Sequence, residues 1–156
     1  MNDPISAIGL KVPDFSLPAT GGEFRLSAHT GRPLVIYFYP KDNTPGCTTE
    51  AGQFRDLHDE FRRLGCALYG ISRDSIKSHE GFKAKLGLPF ELLSDPEESA
   101  CRLFDVIRMK KLYGKDVRGI ERSTFLIDAA GRLVREWRGV KVDGHAAEVL
   151  KAVAAL

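Results

Sequence analysis

The sequence predicts an α/β fold in which a mixed central sheet is flanked by helices. Two short apolar runs, 34–39 and 66–72, lack the polar alternation of a half-exposed strand and are typical of strands buried on both faces. A strongly periodic helix lies between them, so the three segments form a βαβ unit with parallel strands. A hairpin and a last helix follow later in the chain. From the length of 156 residues we expect one domain spanning 1–156.

The first elements are a hairpin, a buried strand and a long helix. Residues 15–17 and 24–26 alternate apolar and polar side chains on either side of Gly21-Gly22, a pair that supplies the positive φ values of a tight turn. We therefore predict a small N-terminal β-hairpin. In the helix that contains Cys47, apolar residues recur at steps of three and four and predict one packed stripe. The stripe consists of Ala51, Phe54, Leu57, Phe61 and Leu64.

The middle of the chain is predicted to add a helix, a strand and a shorter helix. Asp74 or Ser75 caps a helix that runs to about Leu86. Residues 90–93 form a strand. The segment 94–96, Ser-Asp-Pro, is expected to begin a short helix with Cys101 on its inner face.

The C-terminal part is predicted to contain a connector, a hairpin and a last helix. Residues 105–119 are basic and have no clear periodicity, so we expect a loop or a loosely ordered connector. Residues 123–127 and 133–137 flank a turn-rich linker and are predicted to be antiparallel neighbours. The last helix begins at Asp143 or Gly144. With the βαβ unit, these elements give a mixed sheet that is covered on both faces.

Cys47 is the candidate nucleophile. It follows a Pro/Gly-containing loop and lies at the start of the long helix. Unpaired backbone N–H groups and the helix dipole stabilise a thiolate at such a position, particularly with a cationic neighbour. The alternative is a small buried residue that happens to begin a helix, because buried free cysteines are common.

Residues 40–47 read P-K-D-N-T-P-G-C and contain P-x-x-x-T-x-x-C, a pattern that resembles the active-site loop of peroxiredoxins. With the T-T-E-A-G-Q-F-R-D that follows, the segment resembles the bacterioferritin comigratory protein branch, also called PrxQ. Three further segments share the resemblance in order: V-P-D-F-S-L-P, L-L-S-D-P and R-S-T-F-L-I-D. The resemblance implies a thioredoxin-like fold with an N-terminal hairpin extension.

The resemblance also implies an activity. Cys47 would reduce hydrogen peroxide and organic hydroperoxides and become a sulfenic acid. Thioredoxin, glutaredoxin or a small thiol would then recycle it, and no cofactor would be needed. A thioredoxin-like redox sensor or binding domain, with an oxidisable but poorly recycled Cys47, is the alternative.

Roles for the neighbours of Cys47 follow from the same resemblance. Thr44 would hydrogen-bond the peroxide and the thiolate, and Pro40 would keep bulk water out. The backbone N–H groups around Gly46 and Cys47 would stabilise the charge that develops on oxygen. Considered alone, Thr44 could equally be a turn residue and Pro40 a strand terminator.

Arg122 is the expected cationic partner of the thiolate. It stands at the start of a buried strand, where a charge is costly unless an opposite charge meets it. A guanidinium can hold the thiolate and the peroxide oxygens together. The alternative is an exposed strand-end arginine paired with Glu121 or Asp128. Glu50 could accept from Arg122 or cap the helix start, and the sequence leaves both open.

The chain departs from the family in its resolving cysteine. The two usual places for that residue hold Gly52 and Lys83 here. Resolution is then left to Cys101, to Cys66, to a second chain or to an external thiol, which we favour. Cys101 is the better internal candidate because a short helix unravels more easily than a central strand.

Composition and charge exclude several classes of function. A formal charge of +2, spread along the chain, gives no basic patch for nucleic acid. No apolar run is long enough to span a membrane, and residues 1–11 do not resemble a signal peptide, so we expect a cytoplasmic protein with reduced thiols. We expect a monomer rather than a dimer. We also expect no metal site, because the histidines share no spacing and are assigned surface or packing roles: His29, His58, His79 and His145.

Overall fold

A computed structural model describes residues 8–156; residues 1–7, which include most of the segment in which no signal peptide was expected, lie outside it. Within this range the chain forms nine strands and four α-helices. The strands are β1 (Ser16–Ala19), β2 (Gly22–Arg25), β3 (Leu34–Phe38), β4 (Ala67–Ser72), β5 (Leu92–Ser94), β6 (Ile107–Leu112), β7 (Lys115–Ile120), β8 (Ser123–Ile127) and β9 (Leu133–Arg138). The helices are α1 (Pro45–Arg63), α2 (Ile76–Leu86), α3 (Ser99–Leu103) and α4 (His145–Ala154).

The predicted mixed sheet is confirmed. Its strand order is β2-β1-β5-β4-β3-β8-β9 over the described residues. Strand β3 pairs in parallel with β4 and antiparallel with β8. All five residues of β3 are buried, because alternate side chains enter one of two apolar clusters on opposite faces of the sheet. Helices α1, α2 and α4 pack on the face of Tyr37, whereas α3 packs on the face of Phe38.

Most element boundaries agree with the sequence. The N-terminal hairpin β1–β2 forms, with both turn glycines at positive φ. The Ser75 hydroxyl accepts from the N–H of Ser78 and caps α2, which ends at Gly87 in the left-handed region. Among the helices of the described residues, none has the length and apolar character needed to cross a bilayer.

The prediction of a loose connector at 105–119 is wrong. Strands β6 and β7 pair antiparallel along their whole length and form a separate two-stranded sheet. Their turn, Tyr113-Gly114, has positive φ at both residues. Most side chains of the hairpin are exposed on both faces, so no apolar alternation marks these strands in the sequence.

The predicted start of the short helix is also wrong. Ser94 continues β5, where it pairs with Ser72, and α3 begins only at Ser99. Asp95 instead accepts hydrogen bonds from the N–H of Cys101 and the hydroxyl of Ser99. Residues 95–98 instead form a turn in which the N–H of Glu98 donates to the carbonyl oxygen of Asp95. Glu98 has a φ of 63°, in the left-handed region, so a right-handed helix can begin only after it.

Candidate active site

Cys47 lies in the first turn of α1, directly beyond the end of β3. Thr44 precedes the helix with an extended backbone, and Pro45 is the first helical residue. The N–H groups in the first turn of a helix have no intrahelical acceptor, so those of Gly46 and Cys47 remain available to an anion. Cys47 is only 1% exposed. The sulfur is therefore almost completely shielded from bulk water in a region of positive potential.

Sheet register brings Arg122 to this helix start. Phe38, the last residue of β3, pairs with Ser123, the first residue of β8. Arg122 therefore leaves the sheet at the same edge as the loop that leads to Cys47. Its Nη2 lies 3.5 Å from the sulfur of Cys47. The cationic partner predicted for Cys47 is thus at contact distance, although the two residues are far apart in sequence.

Glu50 accepts a hydrogen bond from the second terminal nitrogen of the Arg122 guanidinium. Nη1 of Arg122 donates to Oε1 of Glu50 over 2.7 Å, and the Glu50 side chain is 1% exposed. Of the two roles considered for Glu50, acceptor from Arg122 or helix cap, the structure shows the first. One guanidinium therefore joins a buried carboxyl group to the cysteine sulfur.

Burial controls the electrostatics of this group. It raises the pKa of Glu50 to about 7, although the charge of Arg122 and its hydrogen bond oppose the shift. Burial disfavours the charge of Arg122, but Glu50 and Cys47 outweigh that effect and raise the pKa of the guanidinium. Arg122 is thus cationic at every physiological pH, whereas Glu50 loses its charge near neutrality.

Thr44 and Pro40 line the approach to α1. The Thr44 hydroxyl donates to the carbonyl oxygen of Lys41 over 2.8 Å, so its own oxygen keeps lone pairs that can accept a hydrogen. Pro40 is half-buried and directly follows the extension of β3. The structure therefore places both residues in the loop that connects β3 to Cys47.

The other two cysteines lie away from this site. Cys66 precedes β4 beside Leu34, at the end of β3 opposite to Phe38, roughly 13 Å or more along the strand. Cys101 is completely buried in the apolar cluster on the other face of the sheet from Cys47. Burial raises the pKa of Cys66 to about 12, and it also raises the pKa of Cys101, where Asp95 adds to the effect. All three thiols are free within the described part of the chain.

A polar network that sequence reasoning missed lies behind the loop. Asp42, only 4% exposed, accepts hydrogen bonds from the hydroxyls of Tyr39 and Ser78 and contacts His79, which was assigned a surface or packing role. The position of His79 in the sequence could have indicated its burial, because it lies three residues before the buried Phe82 on the same face of α2. A polar residue at such a place needs a buried partner.

This network also brings one ligand-type atom each of Asp42, Asp74 and His79 within 4.8 Å of one another. Both ring nitrogens of His79 already face protein oxygens, one on Asp42 and one on Leu93. A metal would have to displace these hydrogen bonds. Internal hydrogen bonding accounts for the cluster, and the expectation of no metal site stays a prediction.

His145 is a second buried histidine close to the site. Its Nε2 lies 2.8 Å from the hydroxyl of Thr124, and it packs against Phe54 and Trp137. Burial lowers the pKa of His145 to about 4, and the charge of Arg122 contributes in the same direction. His145 is therefore neutral near pH 7 and does not compete with Arg122 as a cation.

Comparisons with known proteins agree with this geometry. The model of the AhpC/TSA family matches residues 8–136. Peroxiredoxin Bcp of Xanthomonas campestris is 52% identical over 156 residues, covering 99% of this chain and 98% of the relative. The chain belongs to the AhpC/TSA family, in its peroxiredoxin Bcp branch.

Other peroxiredoxins of this branch are equally similar. Peroxiredoxin Bcp of Bacillus subtilis is 52% identical over 147 residues, which cover 94% of each chain. A solved structure of the Xanthomonas campestris bacterioferritin comigratory protein, concerned with its alkyl peroxide reduction activity, has a TM-score of 0.89 and 52% identity. It covers 96% of this chain and 98% of that protein. The predicted thioredoxin-like fold with its N-terminal hairpin is thereby confirmed.

Proposed function

We propose that this peroxiredoxin is a thiol-dependent peroxidase that reduces hydrogen peroxide and organic hydroperoxides through Cys47. The observation that carries the proposal is the sulfur in the first turn of α1 with Nη2 of Arg122 at 3.5 Å. In this reaction the thiolate attacks one peroxide oxygen and the O–O bond breaks. The other oxygen leaves as hydroxide or alkoxide and takes up a proton. Cys47 becomes a sulfenic acid.

The neighbouring groups have distinct parts in this step. Arg122 stabilises the thiolate and, as O–O bond cleavage proceeds, the negative charge on the leaving oxygen. Thr44 accepts a hydrogen bond from the bound peroxide, because its own hydroxyl hydrogen is directed to Lys41. The free N–H groups of Gly46 and Cys47 can also donate hydrogen bonds to the leaving oxygen and stabilise its negative charge. Pro40 limits the access of water to the sulfur. The alkyl peroxide reduction activity of the Xanthomonas protein supports organic hydroperoxides as substrates.

We further propose that an external thiol resolves the sulfenic acid: thioredoxin, glutaredoxin or a small thiol. Gly52 and Lys83 occupy the places of the usual resolving cysteines. The positions of Cys66 at the far end of β3 and of Cys101 across the sheet also favour this route over an internal disulfide.

We propose, in addition, that the enzyme acts as a monomer in the cytoplasm. Support for the monomer comes from Cys47, Thr44, Glu50 and Arg122, which one chain supplies together, so that the reaction needs no second copy. Support for the cytoplasm comes from the reaction itself, since the proposed cycle needs reduced thiols. Sedimentation of the reduced protein tests the oligomeric state.

A single-turnover peroxide assay tests the activity. We expect the reduced protein to consume one equivalent of peroxide and Cys47→Ser to consume none, while Cys66→Ser and Cys101→Ser retain the first turnover. Loss of that turnover in the latter variants, with Cys47→Ser intact, would contradict the assignment. Steady-state assays with each reductant separate the enzyme from a redox sensor, because a sensor would be oxidised once and would not turn over.

A further inference from the structure

A buried pair of side chains, Asp42 and His79, holds the loop that leads to Cys47. The two side chains are at most 1% exposed, and Oδ2 of Asp42 lies 2.7 Å from Nδ1 of His79. Asp42 belongs to the connection between β3 and α1, whereas His79 belongs to α2. The contact therefore joins the active-site loop to a neighbouring helix.

The partners of His79 determine where its hydrogens lie. Nε2 is 2.8 Å from the carbonyl oxygen of Leu93, and a carbonyl oxygen only accepts, so Nε2 carries a hydrogen. Nδ1 faces a carboxyl oxygen of Asp42, and at 2.7 Å this contact needs a second hydrogen between the two atoms. The pair therefore holds one proton more than a neutral imidazole beside a carboxylate.

The surroundings place this proton on the imidazole. Asp42 also accepts from the hydroxyl of Tyr39 at 2.6 Å and from that of Ser78 at 2.8 Å, and these bonds stabilise a carboxylate. Burial opposes ionisation of Asp42, but the hydrogen bonds from His79 and Tyr39 outweigh it and hold the pKa of this carboxyl below its usual range. His79 is then an imidazolium.

The other charged and titratable groups that face the pair favour the same state. Asp74, in the turn before α2, accepts from the N–H of Asp42 at 2.9 Å and adds a second carboxyl group beside His79. Burial raises the pKa of Tyr39 well above its usual value, so its hydroxyl remains a neutral donor. From β5 the pair meets only the carbonyl of Leu93 among the described hydrogen-bonding partners.

The loop residues linked to Asp42 are those of the reaction. Lys41, the residue before Asp42, supplies the carbonyl oxygen that accepts from Thr44. The carbonyl oxygen of Thr44 in turn accepts from the N–H of Thr48 in the first turn of α1, beside Cys47. A displacement of Asp42 would therefore move Thr44 and the start of α1.

We propose that His79 is a positioning residue for peroxide reduction: as an imidazolium it holds Asp42, and with it the loop that carries Thr44 and Cys47, in the reactive conformation. This inference rests on the proposed peroxidase function.

Nuclear magnetic resonance of ¹⁵N-histidine-labelled protein tests the protonation state directly. From the two contacts of the ring we expect both ring nitrogens of His79 to carry hydrogen at pH 7. A His79 ring with a single N–H at pH 7 would overturn the proposal. These measurements use the unmodified protein and need no variant to fold.

Variants test the link to the reaction. His79→Gln should slow the oxidation of Cys47 by peroxide roughly tenfold or more. Asp42→Asn with His79→Gln should lose about as much as either change alone, because the two residues act as one unit. The matched control is His58→Gln, at a half-buried histidine of α1, and this variant should react as the unmodified protein does.

A separate readout distinguishes this inference from the peroxidase proposal. Alkylation of Cys47 by iodoacetamide, in a Cys66→Ser and Cys101→Ser background, reports the position of the sulfur without any peroxide. A folded His79→Gln protein with unchanged alkylation and peroxide rates would reject His79 as a positioning residue. If the unmodified protein fails to reduce peroxide, the function is wrong. In that case the spectrum and the alkylation rates still decide whether the pair holds the loop.

Discussion

Gly46 and the guanidinium of Arg122 are packed so closely that no side chain fits between them. A Cβ added to Gly46 would lie 3.0 Å from Nη2 of Arg122. The same nitrogen is 3.5 Å from the sulfur of Cys47. The absence of a side chain at Gly46 therefore allows Arg122 to reach the sulfur, in addition to the backbone N–H that Gly46 offers.

Replacement of Gly46 by Ala should reduce activity without loss of stability. The new methyl group displaces Arg122 from Cys47, and we expect the rate of Cys47 oxidation to fall roughly 10- to 100-fold. Alanine is a better helix former than glycine by up to about 1 kcal/mol, so the free energy of unfolding should stay level or rise. Stopped-flow oxidation and chemical denaturation measure the two effects.

The matched control for Gly46→Ala is Gly52→Ala in the same helix. A Cβ at Gly52 would meet Nη2 of Arg55 at 3.6 Å, an ordinary contact. This variant should gain stability and keep its oxidation rate. Equal rates in the two variants would show that the approach of Arg122 past Gly46 is not needed.

Replacement of Arg122 should affect the thiolate of Cys47. With Arg122→Ala the nearest cation is lost, so the thiolate absorbance at neutral pH should fall and peroxide oxidation should slow. Arg122→Lys keeps the charge but cannot donate to Glu50 and contact Cys47 at once in the geometry of a guanidinium. It should therefore retain part of the thiolate absorbance and little of the rate. An unchanged titration of thiolate absorbance in Arg122→Ala would remove Arg122 from the site.

Thr44→Val tests the hydroxyl group of the loop. We expect peroxide oxidation of Cys47 to slow by a factor of about 100 or more, because the bound peroxide loses the acceptor that orients it against the sulfur. The control is Thr49→Val, because the Thr49 hydroxyl also donates to a backbone carbonyl, that of Pro45 in the first turn of α1, at 3.0 Å. If Thr44→Val and Thr49→Val slow the reaction equally, the Thr44 hydroxyl has no specific role.

The raised pKa of Glu50 predicts that the stability of the protein depends on pH. Its pKa of about 7 in the folded protein exceeds the ordinary value of 4.5, so folding favours the protonated form. The stabilisation is complete below pH 4.5 and is lost as pH rises through 7. Glu50→Gln cannot ionise. The unfolding free energy of the unmodified protein should therefore fall relative to that of Glu50→Gln by about 3 kcal/mol across this range.

Denaturant titrations from pH 4 to pH 8 measure this difference, because the contributions of all other groups cancel between the two proteins. Glu60→Gln serves as the control, since Glu60 is an exposed residue of the same helix that pairs with Arg63. A difference between the unmodified protein and Glu50→Gln that does not change with pH would show that Glu50 ionises normally in the folded state.

The oxidised state of Cys47 tests the mode of resolution. After one equivalent of peroxide we expect a sulfenic acid that dimedone traps and an added thiol removes. Disulfide formation needs Cα atoms within about 7 Å, and the sheet separates Cys47 from Cys101. Mass spectra with and without reductant measure the outcome. A Cys47–Cys101 disulfide that forms faster than dimedone reacts would instead establish a two-cysteine cycle.

The sequence by itself determined the central fold and the place of the nucleophile. Apolar periodicity and helix caps are local properties, and they predicted β3, α1, β4 and α2 with boundaries close to those observed. The position of Cys47 at the start of α1 followed from the same local pattern. The hairpin β6–β7 was not predicted, because two exposed strands leave no apolar alternation to detect.

Tertiary structure decided how residues from different elements meet at the site. The contact between Arg122 and Cys47 depends on the register of β8 against β3, which places Ser123 opposite Phe38. The same holds for Asp42 and His79, which belong to different elements. Pairs of this kind are fixed by how whole elements align and pack, and a local pattern of side chains contains no record of that alignment. The sequence could therefore name the reacting sulfur and candidates for its neighbours, whereas only the fold showed the contacts among them and the pairing of Asp42 with His79.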